Sequence, residues 1–502
     1  MFPILKKLLR AIWETTSPQT VSPAISLPEV ATRHEDAPNE EILHLMRSAQ
    51  EHYQAGRFLD AEKVCGKIIQ TDPDHAASLN LLGLIFDRAG KSEIAVEYLD
   101  RARRHDPSNP TFLVNLGDAY NVLRRYDEAI ACCDSALALK VDCAEAFNTR
   151  GTSLIQLNRH DEALESFVMA RTLKPDFSLA YFNESKCRLL LGDFERGWPE
   201  YEWRWKCDEF FPQRRNFAKP IWLGKEDIFG KTVFVHAEQG LGDTIQFARY
   251  TQLLAQKGAR VILEVWRFVT PLLSDIPGAH QVVGAGDPLP EFDVYCPLLS
   301  LPLAFGTRLE TIPASIPYLY PSATKAKAWE DKLHRGNTIN VGIVWSGRPQ
   351  HKNDRNRSLP LRILTALADP QVQLISLQKE LRPGDAKVLD ANKQILHFGP
   401  ELEDFSDTAA LVANMDLVIS VDTSIAHLAG AMGKPVWILL PFAPDWRWLL
   451  DREDSPWYPT ARLFRQPKIG DWDGVISKVK HALSDFCRTN PMHLNKPNLA
   501  GS

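Results

Sequence analysis

The chain has 502 residues, 44% of them hydrophobic and 24% charged, which is the composition of a folded protein of about three domains and excludes a disordered or fibrous chain. Its apolar runs are far shorter than the roughly 20 residues of a membrane span. The net charge of −5 argues against a nucleic-acid-binding surface, so nucleic acid is not an expected partner. Eight cysteines without a CxxC pair indicate no disulfide scaffold and fit a cytoplasmic protein.

The first 40 residues are expected to form a basic tail and a linker. Three cations interrupt the apolar side chains of residues 1–13, so this segment lacks the continuous hydrophobic region of a signal peptide. Two interpretations stay open for it: a helix that makes weak contact with a membrane surface, or a basic tail, which the pattern favours. Residues 14–40 are rich in Ser, Thr and Pro, as linkers are.

Small residues recur every 34 positions through the first half of the chain. This spacing relates Ala61, Ala95, Ala129 and Ala163, and also Gly83, Gly117 and Gly151. The marks separate two helical patterns per unit, and one helix pair cannot bury its apolar face unless others stack on it. We therefore predict helix pairs over residues 41–210.

The 34-residue pattern resembles the tetratricopeptide repeat (TPR). About four full units lie between residues 42 and 177, and a degenerate fifth follows, in which Gly197 takes the alanine position. The resemblance implies a curved stack whose concave face binds a protein or peptide. The alternative is a passive spacer or a dimerisation module.

After about residue 220, short β-branched runs alternate with helical patterns, which predicts βα units and parallel sheets. A strand over Thr232–His236 is followed by a glycine-rich turn, 238–243, and by a helix expected from Thr244 to Gln256. This layout directs backbone N–H groups toward an anion. The turn lacks a full GxGxxG and no GKS or GKT follows, so a dinucleotide fingerprint is weak and a P-loop is excluded.

The remaining strands fall into two sets on either side of a polar, Lys-rich stretch, 321–336, which is expected to be a linker. We predict an N-terminal Rossmann-like domain at 220–325, a C-terminal one at 337–488 and a tail at 489–502. Further strands are expected at Arg260–Val265, Val282–Val283, Asp293–Cys296, Ile339–Trp345, Gln371–Leu377, Asp416–Val421 and Pro435–Leu440.

Two segments, HAEQGLGDTIQFARY and VISVDTSIAHLAGAMGKPV, resemble the ADP-heptose:lipopolysaccharide heptosyltransferase family of glycosyltransferases. The resemblance covers residues 230–485, and repeats followed by such a domain are similar in layout to the protein O-linked N-acetylglucosamine transferases. It implies a GT-B fold with the acceptor on the N-terminal domain and the nucleotide-sugar on the C-terminal one. The predicted fold class is therefore multidomain, an all-α TPR solenoid followed by a GT-B-type pair of Rossmann-like α/β domains.

The first candidate donor site follows the strand that ends at Val421. A helix beginning near Thr423 directs free N–H groups at a diphosphate, and His427 lies one turn further on the same face. The resemblance implies phosphate contacts at Thr423, Ser424 and His427, with Asp422 beside them. The alternative is that Asp422 and Thr423 cap the helix and His427 packs in the core.

The second candidate stretch, residues 345–360, begins at a strand end and carries four cations. The resemblance favours Arg357, because the heptosyltransferases place a basic residue shortly before a proline. Ser346 belongs to the same stretch, and Gln378, which follows the strand ending at Leu377, is a candidate for contact with the nucleoside ribose. A solvated basic loop is the alternative.

The resemblance also implies that Asp243, in the G-D of the first motif, is the catalytic base. If Asp243 is only a helix cap, Glu238 in the same turn is the next candidate base. The alternative role of Asp243 is to cap the helix that follows it. As a base, it is expected to have its pKa held down by the positive end of that helix. No metal-ligand cluster is evident in the sequence, so we predict metal-independent chemistry without a cofactor, the nucleotide-sugar being a substrate.

The leading hypothesis is a glycosyltransferase that moves a hexosyl, heptosyl or N-acetylhexosaminyl group from a nucleotide-diphosphate sugar to a protein or glycan acceptor, selected in part by the repeats. The alternative is an inactive TPR scaffold with a degenerate transferase domain. A third hypothesis, an epimerase of free nucleotide-sugar, fits less well, since such an enzyme needs no array that selects an acceptor. The sequence chooses neither the sugar nor the nucleotide.

Overall fold

The computed structural model describes residues 40–333 and 338–489. Within these, one unit contains residues 40–187 and 200–214, and the other contains residues 188–199 and 215–489. The tails and linker predicted over 1–40 and 489–502 lie outside the described residues, apart from Glu40 and Thr489, each of which is helical. None of the described helices is both long and apolar enough to cross a membrane.

Helix pairs make up the first half of the described chain. Turns of three residues join the two helices of a pair, and turns of four residues join one pair to the next. The pairs are Glu40–Gln54 with Phe58–Thr71, Ala76–Arg88 with Ser92–His105, Pro110–Val122 with Tyr126–Leu139, Ala144–Gln156 with His160–Leu173, and Ser178–Leu190 with Phe194–Tyr201.

The 34-residue spacing corresponds to close contact between the helices of a pair. All four alanines of the series that starts at Ala61 are completely buried. A Cβ atom added to Gly83 would lie 2.5 Å from Leu99 Cγ, and one added to Gly151 would lie 2.6 Å from Phe167 Cε1. The repeated small residues are therefore required by packing.

Polar side chains connect successive pairs. Asn115 Nδ2 donates to Asn80 Oδ1 at 2.9 Å, and Thr149 Oγ1 donates to Asp118 Oδ1 at 2.9 Å. Burial raises the pKa of Asp118 to about 7. These bonds satisfy polar groups that would otherwise be costly to bury between stacked repeats.

Two parallel sheets follow the repeats, which confirms the predicted fold class. The first has the order β3-β2-β1-β4 and the second the order β10-β9-β8-β5-β6-β7. The strands are β1 Thr232–His236, β2 Arg260–Val265, β3 Gln281–Gly284, β4 Val294–Pro297, β5 Ile339–Val344, β6 Val372–Ser376, β7 Ile395–His397, β8 Leu417–Val421, β9 Val436–Leu440 and β10 Ala461–Arg465.

Two strands, β7 and β10, were missed by the sequence prediction. They form the two edges of the second sheet. β7 has only three residues, and β10 exposes Arg462, so neither has the continuous apolar run of a central strand.

The helices of the α/β part are mostly short. The α-helices are Leu241–Phe247, Tyr250–Gln256, Thr270–Leu273, Leu301–Ala304, Ala323–Leu333, Asp354–Arg357, Leu361–Leu364, Asp385–Ala391, Phe405–Ala413, Ser424–Ala431 and Trp472–Thr489. The 3₁₀ helices of the described chain are Glu202–Lys206, Asp208–Gln213, Arg267–Val269, Leu298–Ser300, Leu309–Thr311, Thr365–Leu367, Gly399–Glu401 and Trp446–Trp448.

Two of the predicted segments differ in detail from the structure. The helix predicted from Thr244 to Gln256 begins at Leu241 and is interrupted at Arg249. The polar stretch 321–336, predicted to be a linker, lies between the two sheets in the chain and contains the Ala323–Leu333 helix. This helix buries Trp329 and Leu333, and Trp329 packs edge-on against Phe398 at 5.2 Å.

The interruption at Arg249 has a structural consequence. Its guanidinium is buried and donates to the carbonyls of Trp457 at 2.8 Å and Pro313 at 3.1 Å, and to Tyr318 Oη at 2.9 Å. Pro313 and Tyr318 follow the last strand of the first sheet, and Trp457 lies between β9 and β10 of the second. Arg249 therefore connects the regions of the two sheets within this unit.

A pair of glycine substitutions tests the packing of the repeats. Gly151→Ala is expected to lower the free energy of unfolding by about 1–3 kcal/mol, because the new methyl group overpacks the buried Phe167 ring. Gly66→Ala is the matched control, since its Cβ would meet nothing within 4 Å and alanine favours helix by up to about 1 kcal/mol. Denaturant unfolding measures both, and a Gly151→Ala protein as stable as the control contradicts the packing argument.

Candidate functional site

The candidate site lies at the carboxyl ends of two neighbouring strands, where ligands bind in open α/β sheets. β5 and β8 are paired with Val344 opposite Ser420. The segments that follow, residues 345–358 and 422–424, therefore leave the sheet side by side. Most of the donor residues predicted from the sequence belong to these two segments.

The loop after β5 is held by a partly buried ion pair that was not predicted. Arg382 Nη2 donates to Asp354 Oδ2 at 2.6 Å and to the Gly347 carbonyl at 2.9 Å. Ser358 Oγ donates to Asp354 Oδ1 at 2.8 Å. A charged network of this kind gives the loop one defined conformation.

Arg357 reaches from this loop to the segment after β8. Its Nη1 donates to the Asp422 carbonyl at 2.9 Å, and a Cβ on Gly347 would lie 2.5 Å from its Nη2. Glycine at 347 is therefore what admits the guanidinium. The Nε atom of Arg357 is buried and has no hydrogen-bond partner among the described residues.

Ser346 and Gln378 lie beside each other at the same edge. The Ser346 amide donates to Gln378 Oε1 at 3.4 Å. Ser346 is only 2% exposed, and within the described chain its Oγ has no hydrogen-bond partner. A buried hydroxyl without a partner is costly, so an additional acceptor or donor at this point would stabilise the site.

The Ser424–Ala431 helix begins directly after β8, with Thr423 at its N-cap position in extended conformation. Thr423 Oγ1 bonds to the Ser420 hydroxyl at 3.1 Å rather than to the first N–H groups of the helix. The Thr423 side chain therefore does not cap the helix, which was the alternative role considered for it. The Ala426 N–H of the first turn donates to the Thr423 carbonyl at 3.0 Å, and the Thr423 side chain occupies none of the first N–H groups.

His427 is packed in the core of this unit. Its Nδ1 shares a hydrogen bond with Tyr458 Oη at 3.0 Å, and its ring stacks on Trp448 with centroids 5.4 Å apart. Burial, with Arg447 nearby, lowers its pKa to about 3, so the ring is neutral at pH 7. A Cβ on Gly242 would lie 2.8 Å from its Cδ2, which shows how closely the Leu241–Phe247 helix approaches.

Asp243 is the third residue of its helix and not the N-cap. Its Oδ2 accepts from the Gly240 amide at 2.7 Å, and its Oδ1 accepts from Arg447 Nη2. The predicted lowering of its pKa was wrong in direction: burial raises the pKa of Asp243 above its usual value, although Arg447 and the Gly240 amide oppose this. Its side chain is 18% exposed, so loss of water outweighs both attractions.

Glu238, the second candidate base, has a different position. It is buried, and its Oε1 accepts from the Leu299 amide at 3.1 Å. This bond links the turn after β1 to the segment after β4.

Arg447 contacts the candidate base but was not among the site residues predicted from the sequence. Besides the bond to Asp243, its Nε donates to Gln246 Oε1 at 2.7 Å and its Nη1 donates to Asp445 Oδ1 at 2.8 Å. The available signal was a charged and aromatic run, Asp445 to Trp448, shortly after strand β9.

Two arginines, Arg357 and Arg447, affect the protonation of both Asp422 and His427. Burial and the Asp445 carboxylate raise the pKa of Asp422 to about 6, while Arg357 and Arg447 both oppose this rise. The same two arginines also help to lower the pKa of His427. Two cations from different loops therefore converge beside the start of the Ser424–Ala431 helix.

Two protein families match this chain. The tetratricopeptide repeat family matches residues 85–144, and glycosyltransferase family 9 (heptosyltransferase) matches residues 385–439, which include Asp422 and His427. Both resemblances are confirmed. The second match supports glycosyltransferase activity for the α/β part of the chain.

Individual relatives differ in how much of the chain they cover. Protein FlbA of Caulobacter vibrioides is 26% identical over 505 aligned positions, which cover 88% of this chain and 84% of FlbA. RNA polymerase II-associated protein 3 of Rattus norvegicus is 32% identical over 108 residues, 22% of this chain and 16% of that protein. The crystal structure of MamA is 22% identical, with a TM-score of 0.29, and covers 36% of this chain and 99% of MamA.

The neutral state of His427 predicts a pH dependence of stability. Below the ordinary pKa of 6.5 the unfolded chain binds a proton here that the folded chain refuses, so stability is lost as the pH falls from 6.5 toward 3. In His427→Gln this component, at most about 1.4 kcal/mol per pH unit, is absent and the curve is flatter.

Denaturant unfolding from pH 7 to pH 4 measures the effect. His481→Gln is the control, because the side chain of His481 is 84% exposed, and it should keep the parent's slope. Equal slopes for His427→Gln and the parent would contradict the neutral, buried histidine.

Proposed function

We propose that the α/β unit is a glycosyltransferase that transfers a sugar from a nucleotide-diphosphate sugar to an acceptor. The observation that carries the proposal is the convergence of Arg357, the unpartnered Ser346 hydroxyl and the start of the Ser424–Ala431 helix at one sheet edge. Positive charge, a hydroxyl and free N–H groups are what a diphosphate needs. The family 9 match over 385–439 supports the same chemistry.

The donor is oriented by residues on both segments. The diphosphate lies against Arg357 and the first N–H groups of the helix, at Thr423 and Ser424, with Ser346 Oγ as a further partner. Gln378, whose Oε1 already meets the Ser346 amide, is placed to contact the nucleoside ribose. The neutral His427 supports the helix through Tyr458 and adds no charge.

In the transfer step, an acceptor hydroxyl oxygen attacks the anomeric carbon of the sugar. The bond from that carbon to the diphosphate oxygen breaks, its electron pair stays on the nucleoside diphosphate, and the hydroxyl proton goes to Asp243. A carboxylate with a raised pKa is the better proton acceptor. Arg357 and the helix N-terminus neutralise the leaving group, so the proposed reaction uses no metal ion.

The acceptor is proposed to be a protein or glycan selected in part by the repeats, with a protein or peptide bound to their concave face. A cytoplasmic location is proposed with it. One observation favours the alternative, an inactive scaffold: the Asp243 carboxylate is already paired with Arg447. A panel of UDP-, ADP- and GDP-sugars, read by released nucleoside diphosphate, tests activity directly, and release from none of them favours the scaffold.

Arg357→Ala is expected to weaken nucleoside diphosphate binding. Charge-assisted hydrogen bonds contribute about 1.5–3 kcal/mol, so the loss should be about tenfold to a hundredfold in Kd by calorimetry. Arg355→Ala, an exposed arginine of the same loop, is the matched control and should bind as the parent does. Equal affinity in the two variants would remove Arg357 from the site.

Asp243→Asn is expected to lose most turnover, by about 10² to 10⁴ in rate, because no base takes the proton. The asparagine carbonyl still accepts from the Gly240 amide, so the fold should persist, and nucleoside diphosphate should bind at least as tightly as to the parent. Initial rates with the best donor of the panel, together with thermal melting, measure this. Parent-like turnover would leave Asp243 a structural residue and make Glu238 the next candidate.

A further inference from the structure

Arg447 is paired with Asp243, and this ion pair has to be weakened before Asp243 can act as the base of the proposed reaction. Its guanidinium holds three acceptors at once: Asp243, Gln246 and Asp445. The first two belong to the Leu241–Phe247 helix, and the third caps the Trp446–Trp448 turn by accepting from the Arg447 amide at 3.1 Å. The arginine therefore joins the acceptor-side helix to the donor-side segment.

Pairing with a guanidinium makes a carboxylate a weaker base than it would be alone, because protonation would leave the cation without its partner. Asp243 can accept the proton of an acceptor hydroxyl efficiently only when Arg447 has another anion to neutralise. Asp445 is one such anion and is already bound. A diphosphate beside it would be a second and stronger one.

The proposed position of the diphosphate lies close to the Arg447 side chain. Arg357 bonds to the Asp422 carbonyl, and Trp448, the residue directly after Arg447, stacks on His427 of the donor helix. Gly242 brings Asp243's own helix against the same histidine. The base, the second cation and the donor helix thus lie together.

Resting on the proposed function, we propose that Arg447 couples donor binding to release of the base. The diphosphate of a nucleotide-sugar competes with Asp243 for the Arg447 guanidinium, so that Asp243 becomes an effective base only when the donor is in place. Arg447 then helps to carry the negative charge that the breaking sugar–oxygen bond leaves on the diphosphate.

The competition predicts an energetic coupling that binding measurements detect without turnover. Asp243→Asn removes the competing charge, so nucleoside diphosphate should bind several-fold more tightly than to the parent. Arg447→Gln should bind about tenfold or more weakly, since a charge-assisted contact is lost. In the double variant, Asp243→Asn should change affinity no further, because the residue competed for is absent.

Calorimetry with UDP, ADP and GDP on the four proteins of this cycle is the experiment. Arg462→Gln is the control, an exposed arginine on β10 that should bind as the parent does. Arg447→Lys accompanies Arg447→Gln in case the neutral variant does not fold. Lysine keeps the charge but cannot span three acceptors, so the effect of Asp243→Asn should shrink in that background too.

The outcomes separate the two proposals. Coupling between Asp243 and Arg447 in diphosphate affinity supports the exchange. Equal tightening by Asp243→Asn with and without Arg447 is simple charge repulsion and overturns the exchange, while the proposed transferase stands. No binding of any nucleoside diphosphate by the parent, with no release from the sugar panel, overturns both.

Discussion

Buried arginines between the two sheets are the constraint on which the α/β unit depends. Arg249 and Arg447 each donate to several acceptors from different parts of this unit, Arg249 to Trp457 and Pro313, and Arg447 to Asp243. A buried guanidinium is costly unless its donors are paired, so all of these acceptors must be in place at the same time. The approach that this requires is possible because residue 242 is glycine.

The same burial sets the protonation of the site. Away from water, His427 is held neutral while the pKa values of Asp243 and Asp422 rise. Such an environment also strengthens attraction between an arginine and a phosphate. A site with these properties suits the proposed removal of a proton from an alcohol together with departure of a diphosphate.

Local pattern was sufficient for the repeats and the central strands. The 34-residue alanine series marks positions that are completely buried, and the strand runs predicted around β1, β2, β5 and β8 are central in their sheets. The local sequence pattern was insufficient where tertiary packing stabilises a helix in a polar segment. The Ala323–Leu333 helix carries a polar, Lys-rich sequence, yet it buries Trp329 and Leu333, and its Lys325 pairs with Asp407 at 2.7 Å.

The order of the repeats and βα units could be predicted from the sequence, as could the segments that end at strand termini, because both depend on spacing between near neighbours. Which side chains form ion pairs and hydrogen bonds with one another in the site depends on the tertiary structure. Arg447 lies 204 residues from Asp243, and no periodicity connects the two. Whether the pKa of Asp243 rises or falls depends on how much water the folded chain excludes from it, and that balance between desolvation and charge pairing is a property of the packed site rather than of the motif.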